Sequence, residues 1–294
     1  MYREKKPFDI SPYDHPDIYP GPRPATSFLF WQGKAHRLES GKGLPVEDHS
    51  IHFSNVDHVL GSLAFQSSDV KKVEDYLMGD GLASKVPVVA YGSNICLAQL
   101  QYKFSLRPEE DDFMICLKAN VMDSDIVYAP FLAPYGSLPA VIAPVENAVS
   151  EVWLTFIEKK QMELINSTEK GYELREHSGK KVQLETGEVF EKVYAYYEPR
   201  ALIWEGEMRR FKDIPGSSSL PSVWQSDMLN DLKTGVEHKG TREEFIHLLR
   251  WDRNYRDYIE SYLKSDCTFT YDHPDWKRVE KIVSVGDMSR SFLR

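Results

Sequence analysis

The chain has 294 residues, with 36 basic and 45 acidic side chains and a net charge of −9. Its 41% hydrophobic and 28% charged residues are those of a soluble globular protein, which excludes wholesale disorder and a fibrous chain. No apolar run approaches the ~20 residues of a membrane span, and a pI near 5.5 argues against nucleic acid, whose phosphates want a basic face. Small molecules or other proteins are the expected partners.

The first stretch, residues 1–26, carries Pro7, Pro12, Pro16, Pro20, Pro22 and Pro24, a spacing that forbids a helix and predicts an extended arm or loop. Phe28–Trp31 and Ser50–Phe53 read as strands. Ser68 can cap a helix to about Leu77, because Val70, Val73 and Leu77 share one face. Phe28–Trp31 and Val56–Phe65 are too apolar to stay solvated, so residues 1–84 are expected to pack on the following core.

Residues 85–200 are strand-rich. Val86–Ala90, Phe113–Ala119, Ile126–Phe131, Ala140–Ala143, Val149–Ile157, Tyr172–Arg175, Val182–Glu185 and Val189–Tyr197 carry β-favouring residues. Ile95–Phe104 and Glu158–Ile165 read as helices, and Glu185–Glu188 as a hairpin connection. Residues 201–294 are expected to be largely helical. One helix spans Pro221–Leu232, a second runs from the Thr241–Glu244 capping box to about Lys264, and a last one starts at Asp272 or Asp275 and reaches about Val283. Glu205, Glu207, Arg209 and Arg210 read as a solvated connection, and Trp224, Trp251, Tyr255, Tyr258 and Tyr262 as core or interface. Strands in series with few helices between them predict an α+β fold around a barrel-like mixed sheet with flanking helices.

Val88–Asn94 is the most informative segment. A buried strand runs into a Gly-containing turn and then towards a helix, which can aim backbone N–H groups at an anion or a carbonyl oxygen. An ordinary turn capped by Ser93 or Asn94 has the same pattern. Nucleophile-elbow, P-loop and dinucleotide fingerprints are missing from it.

Tyr91-Gly92-Ser93-Asn94 after a short apolar strand resembles the signature of γ-glutamylcyclotransferase-like proteins. Later features follow in the family's order: Pro139–Ile142 and Glu151–Leu154 as paired strands, Ile165–Tyr172 as the segment with the catalytic Glu, and Ser219–Pro221 before a helix. The resemblance implies a γ-glutamylcyclotransferase-like domain over 85–235, an N-terminal extension over 1–84 and a C-terminal helical extension over 236–294. Departures are Val89 in place of an aromatic, Ile165-Asn166 in place of Leu-Asp, and Lys103 near the place of a frequent arginine.

Such enzymes cyclise a γ-glutamyl amide to 5-oxoproline and release an amine, without metal or cofactor. The resemblance makes Glu169 the general acid/base, which needs its carboxyl in an apolar pocket. The amides of Gly92, Ser93 and Asn94 would hold substrate oxygens, with Tyr91 and Tyr172 completing the binding site. A protein of this fold without the activity, binding a small acidic ligand or a protein partner, is the alternative. A third reading is a metal-dependent hydrolase around His49, His52 and His58, with Asp48 and Asp57.

Cys96, Cys116 and Cys267 have neither zinc nor disulfide-framework spacing. Cys96 reads as a small packed side chain. The charged Met1–Pro7 start has no apolar segment behind it, and together these features predict a cytoplasmic protein.

Overall fold

Continuous runs of β-branched and aromatic residues become strands, and the polar-faced segments with capping residues become helices. The computed structural model describes residues 9–53, 69–77, 79–109, 111–169, 171–178, 180–266, 268–279 and 290–292. Strands β1 (Phe28–Trp31), β2 (Lys34–Glu39), β3 (Ser50–Phe53), β4 (Asp69–Lys72) and β5 (Val86–Ala90) precede helix α1 (Leu97–Ser105). Two long strands, β6 (Met114–Tyr128) and β7 (Ala140–Ile157), lead into helix α2 (Lys159–Thr168). Next come β8 (Glu173–His177), β9 (Val182–Leu184), β10 (Glu188–Phe190), β11 (Val193–Tyr197) and β12 (Arg200–Trp204). Four two-residue strands follow: β13 (Glu207–Met208), β14 (Arg210–Phe211), β15 (Gly216–Ser217) and β16 (Ser222–Val223). Helices α3 (Gln225–Gly235), α4 (Arg242–Trp251) and α5 (Arg253–Asp266) and strands β17 (Thr268–Thr270), β18 (Trp276–Arg278) and β19 (Arg290–Phe292) complete the described chain.

The fold is mixed α+β, with five α-helices among the described residues and one large sheet in the order β18-β8-β11-β5-β7-β6-β1-β2-β3-β4. Along that path only β11 and β5 run parallel. The expected barrel is only partly realised. The sheet is partly open, ending on β18 and β4. Alternate residues feed two cores. Phe28, Phe30, Val88 and Ala90 pack with Leu100 and Phe104 of α1 and Met162 and Ile165 of α2. Leu29, Val89, Ile115 and Leu117 join the core that Met228, Phe245, Leu249, Ile259 and Leu263 of α3–α5 cover. No described helix is long and apolar enough to cross a membrane.

Several expectations are corrected. The four strands expected over 113–157 are two, because β6 continues through a bulge between Met122 and Ser124 and stays paired with β7 on both sides of it. Residues 69–72 are strand rather than helix because they pair with β3. One 3₁₀ turn, Val73–Tyr76, follows, and Ser68 lies outside the described residues. The stretch after 200 opens with short strands. Its first helix starts at Gln225, after Ser222–Val223 has paired with β14.

The capping box of α4 forms, with Glu244 N–H donating to Thr241 Oγ1 at 3.1 Å and Thr241 N–H to Glu244 Oε2 at 2.7 Å. The helix does not continue to Lys264. Asp252 leaves the helical region (φ −103°, ψ 103°) and its carboxylate accepts from Tyr255 N–H at 3.0 Å, which restarts the chain as α5. In place of the last helix, residues 276–278 pair with β8; 280–283 lie outside the described residues. Gly187 N–H closes the expected turn on Leu184 O at 2.9 Å, but β9 pairs with β6 and β10 with β19. Of the two places expected for Trp251 and Tyr258, core and interface, the core is excluded, because both are exposed. Arg210 is not solvated: its Nε lies 3.0 and 3.1 Å from the two oxygens of fully buried Asp125, which also accepts from Ser150 Oγ at 2.8 Å.

Candidate active site

β5 is buried at every position between β7 and β11, so the chain leaves the sheet at Ala90 with its direction set. Tyr91 is buried and anchored at both polar ends. Its hydroxyl donates to Tyr196 O, and its carbonyl accepts from Arg23 Nη1 at 3.0 Å. Gly92 then opens a single 3₁₀ turn, Ser93–Ile95, and Cys96 caps α1. Glycine is required at 92 by a close approach, because a Cβ there would lie 2.7 Å from the Tyr19 hydroxyl.

The other half of the site comes from the end of α2. Glu169 is its C-terminal cap (φ −98°, ψ 44°), and Gly171, at φ 96°, turns the chain back into β8. This geometry brings Glu169 onto the Gly92 turn. Asn94 Nδ2 donates to Glu169 Oε1 at 3.1 Å, and Lys103 Nζ, reaching from α1, donates to the same oxygen at 2.8 Å. Lys103 also donates to Asn94 Oδ1, which closes a three-membered network. The side chains of Lys103 and Glu169 are 8% and 16% exposed, so the pair is largely withdrawn from water. Glu169 Oε2 accepts no hydrogen bond among the described residues. The carboxyl therefore does not sit in the apolar pocket the resemblance implied, but in a polar network walled by aromatic rings.

Those rings include residues the sequence reading did not single out. Tyr19, from the proline-rich arm, accepts from Ala140 N–H at 3.0 Å and also faces Ser93 N–H. The Ser93 amide, expected to hold a substrate oxygen, thus points at a phenol oxygen supplied by the arm. Burial raises the Tyr19 pKa and keeps its proton on. The hydroxyl of Tyr172 donates to Ala140 O at 2.8 Å and that of Tyr196 to Asn166 Oδ1 at 2.6 Å, so these side chains present ring faces. Burial raises the pKa of both, as it does for Tyr91. Beneath the turn, Arg23 also donates to Glu151 O at 3.3 Å and lies 4.8 Å from the Trp153 ring centre; burial lowers its guanidinium to about 10. Cys96 is buried with its sulfur packed against the arm at Gly21.

Two contiguous cavities meet here. A crevice of about 40 Å³ is bounded by Tyr19, the Tyr91–Asn94 turn, Ala140, Glu169, Tyr172 and Tyr196. A cavity of about 570 Å³ shares Tyr19, Ser93, Glu169 and Tyr172 with it and extends outward. All six residues expected at the site, Tyr91, Gly92, Ser93, Asn94, Glu169 and Tyr172, border this space. Tyr19, Arg23 and Tyr196 were missed, and Lys103 entered only as a residue near the place of a frequent arginine. The proline run of the arm and the apolar face of α1 gave no local sign of what they reach. The one usable hint was a lysine in the helix that follows the Gly92 turn.

Among the described residues, the groups of the metal reading do not converge. His49 is buried with Nε2 3.3 Å from Leu44 O, His52 Nε2 lies 2.9 Å from Glu39 Oε2, and Asp48 pairs with Lys72 at 3.3 Å. Asp57 and His58 lie outside the described residues. Among the described residues no three His, Cys, Asp or Glu side chains gather as a metal site. In comparisons with known proteins, no family model, no curated protein and no solved structure matches the chain.

Proposed function

We propose that the chain is an enzyme of the γ-glutamylcyclotransferase type, with that family's fold, acting on a γ-glutamyl amide. The observation that carries the reading is the meeting of Glu169 with the Gly92–Asn94 turn at one edge of a contiguous cavity. The substrate's own α-amine attacks its γ-carbonyl. The ring C–N bond forms, the original amide C–N bond breaks, and one proton moves from the attacking to the leaving nitrogen. Water, oxidant and cofactor take no part.

Holding amine and carbonyl in contact is worth far more than any single contact, because it converts a flexible chain into a reacting pair. Glu169 Oε2 takes the proton and returns it, while Asn94 and Lys103 fix the carboxylate through Oε1. The Tyr19 hydroxyl, which accepts but does not donate among the described residues, is placed to donate to the developing oxyanion beside the turn amides.

The test is a panel of γ-glutamyl amides and γ-glutamyl amino acids incubated with the purified protein. The expected result is 5-oxoproline and free amine in equal amounts. Silence across the panel overturns the reading. The other reading is a pocket that binds a small acidic ligand without turnover, in which Lys103 would exchange Glu169 for the ligand's carboxylate. Saturable binding of glutamate with no product would favour it.

A further inference from the structure

The larger cavity has more room than a γ-glutamyl group fills. At about 570 Å³ it lies within the range of pockets that enclose drug-sized ligands. It begins at Glu169 and Tyr172, where the leaving nitrogen would depart, so it is placed for the amine half of the substrate. The chemistry of its walls says what that half is.

Tyr13 of the arm lies against Tyr102 of α1 and Tyr135, with ring centres 5.1 and 5.5 Å apart. Phe131 meets Tyr172 edge-on at 6.0 Å. At the mouth, Tyr13, Tyr102 and Leu106 are 40%, 42% and 51% exposed, apolar surface that an entering ligand would cover. The charged groups of the lining are three cations and three anions, and each is committed to another. Lys103 holds Glu169 at 2.8 Å, Lys264 holds Glu260 at 2.9 Å, and Arg200 grips both oxygens of Glu198 at 2.6 and 3.0 Å. A carboxylate beyond the glutamyl group's own would have to break one of these pairs, and an extra ammonium would find Glu198 and Glu260 paired and Glu169 Oε2 needed for the proton transfer. An aromatic ring meets neither cost and gains ring-on-ring contact.

Resting on the cyclotransferase reading, we infer that the cavity binds an uncharged arylalkyl group carried on the substrate's amide nitrogen, so that the substrate is the γ-glutamyl conjugate of an arylalkylamine rather than of an amino acid or a diamine.

The experiment compares kcat/KM for four conjugates of γ-glutamate: with phenethylamine, ethylamine, phenylalanine and 1,4-diaminobutane. Glutaryl-phenethylamide, which has no α-amine and cannot cyclise, is titrated alongside as a dead-end ligand. The phenethylamide is expected to lead by about tenfold or more. Tyr102→Ala should cut its lead over the ethylamide by roughly three- to tenfold and weaken the dead-end ligand. If 5-oxoproline forms but another conjugate is equal or better, the aromatic assignment is overturned and the cyclotransferase reading stands. Should no conjugate turn over while the dead-end ligand binds and Tyr102→Ala weakens it, the cavity assignment is supported and the reaction is overturned. Neither turnover nor binding overturns both.

Discussion

Lys103 Nζ lies 2.8 Å from Glu169 Oε1, although the two residues are 66 positions apart. The contact ties α1 to the end of α2 and leaves the second carboxylate oxygen unbonded among the described residues. Removing either partner therefore tests a different function: proton transfer for Glu169, positioning for Lys103.

Glu169→Gln keeps the shape of the side chain and its acceptor oxygen but cannot carry a proton. Turnover of the identified γ-glutamyl conjugate should fall by about 10²–10⁴ with little change in KM, while circular dichroism stays that of the wild type. Near-normal turnover would make Glu169 structural.

Lys103→Met removes the ammonium that orients the carboxylate, and kcat should fall by roughly tenfold, as expected when a supporting contact is lost. Lys103→Arg restores a cation within reach of Glu169 and should recover part of the loss. Steady-state kinetics on both variants decide. Equal losses in the two would mean that the ion pair does not position the base.

Gly92→Ala would set a methyl group 2.7 Å from the Tyr19 hydroxyl, which also accepts from Ala140 N–H. Either the turn or the arm must shift, at about 1–3 kcal/mol. Adding Tyr19→Phe should relieve part of that loss, because the clashing oxygen is gone. Urea unfolding of the single and double variants reads the coupling.

Arg210 grips the buried carboxylate of Asp125 between β14 and β6. Arg210→Ala leaves that charge uncompensated and should cost about 3–5 kcal/mol. A double-mutant cycle with Asp125→Ala should show strong non-additivity in the denaturation midpoints. Additive losses would mean the pair is not coupled.

Burial lowers both His177 and His273 to about 4, with Asp275 opposing the shift and Lys181 adding to it. The folded state keeps these rings neutral, whereas the unfolded chain protonates them below about 6.5. Stability present above pH 6.5 is therefore lost as pH falls, with the loss complete below about 4. Urea midpoints between those limits should fall less steeply for His177→Gln than for the wild type. Parallel pH profiles would show that His177 does not titrate in this window.

Local signals placed much of the frame. Val86–Ala90 is an unbroken apolar run, and Gly92 interrupts it before the helix. The Thr241–Glu244 pair marks a helix start, and Phe28–Trp31 is strand by residue type alone. These features depend on residues within a few positions of one another, which is the range over which propensity, capping and turn chemistry act. The six site residues expected from the resemblance lie in two such segments, one after β5 and one at the end of α2.

What needed the tertiary structure is whatever depends on a distant partner. Asp69–Lys72 is strand because β3 offers a ladder, and β6 runs unbroken through Met122–Ser124 because β7 pairs on both sides of the bulge. Arg210 reads as a surface charge until Asp125 is placed beside it, and Tyr19 as part of a loop until its hydroxyl meets Ala140. Proline spacing by itself argued against a helix over residues 1–26, and the described part of that arm holds one 3₁₀ turn, Pro16–Ile18. Only the packed fold decided that this arm would supply Tyr19 and Arg23 to the site, because side-chain reach across 68 or more positions leaves no periodic trace in the chain.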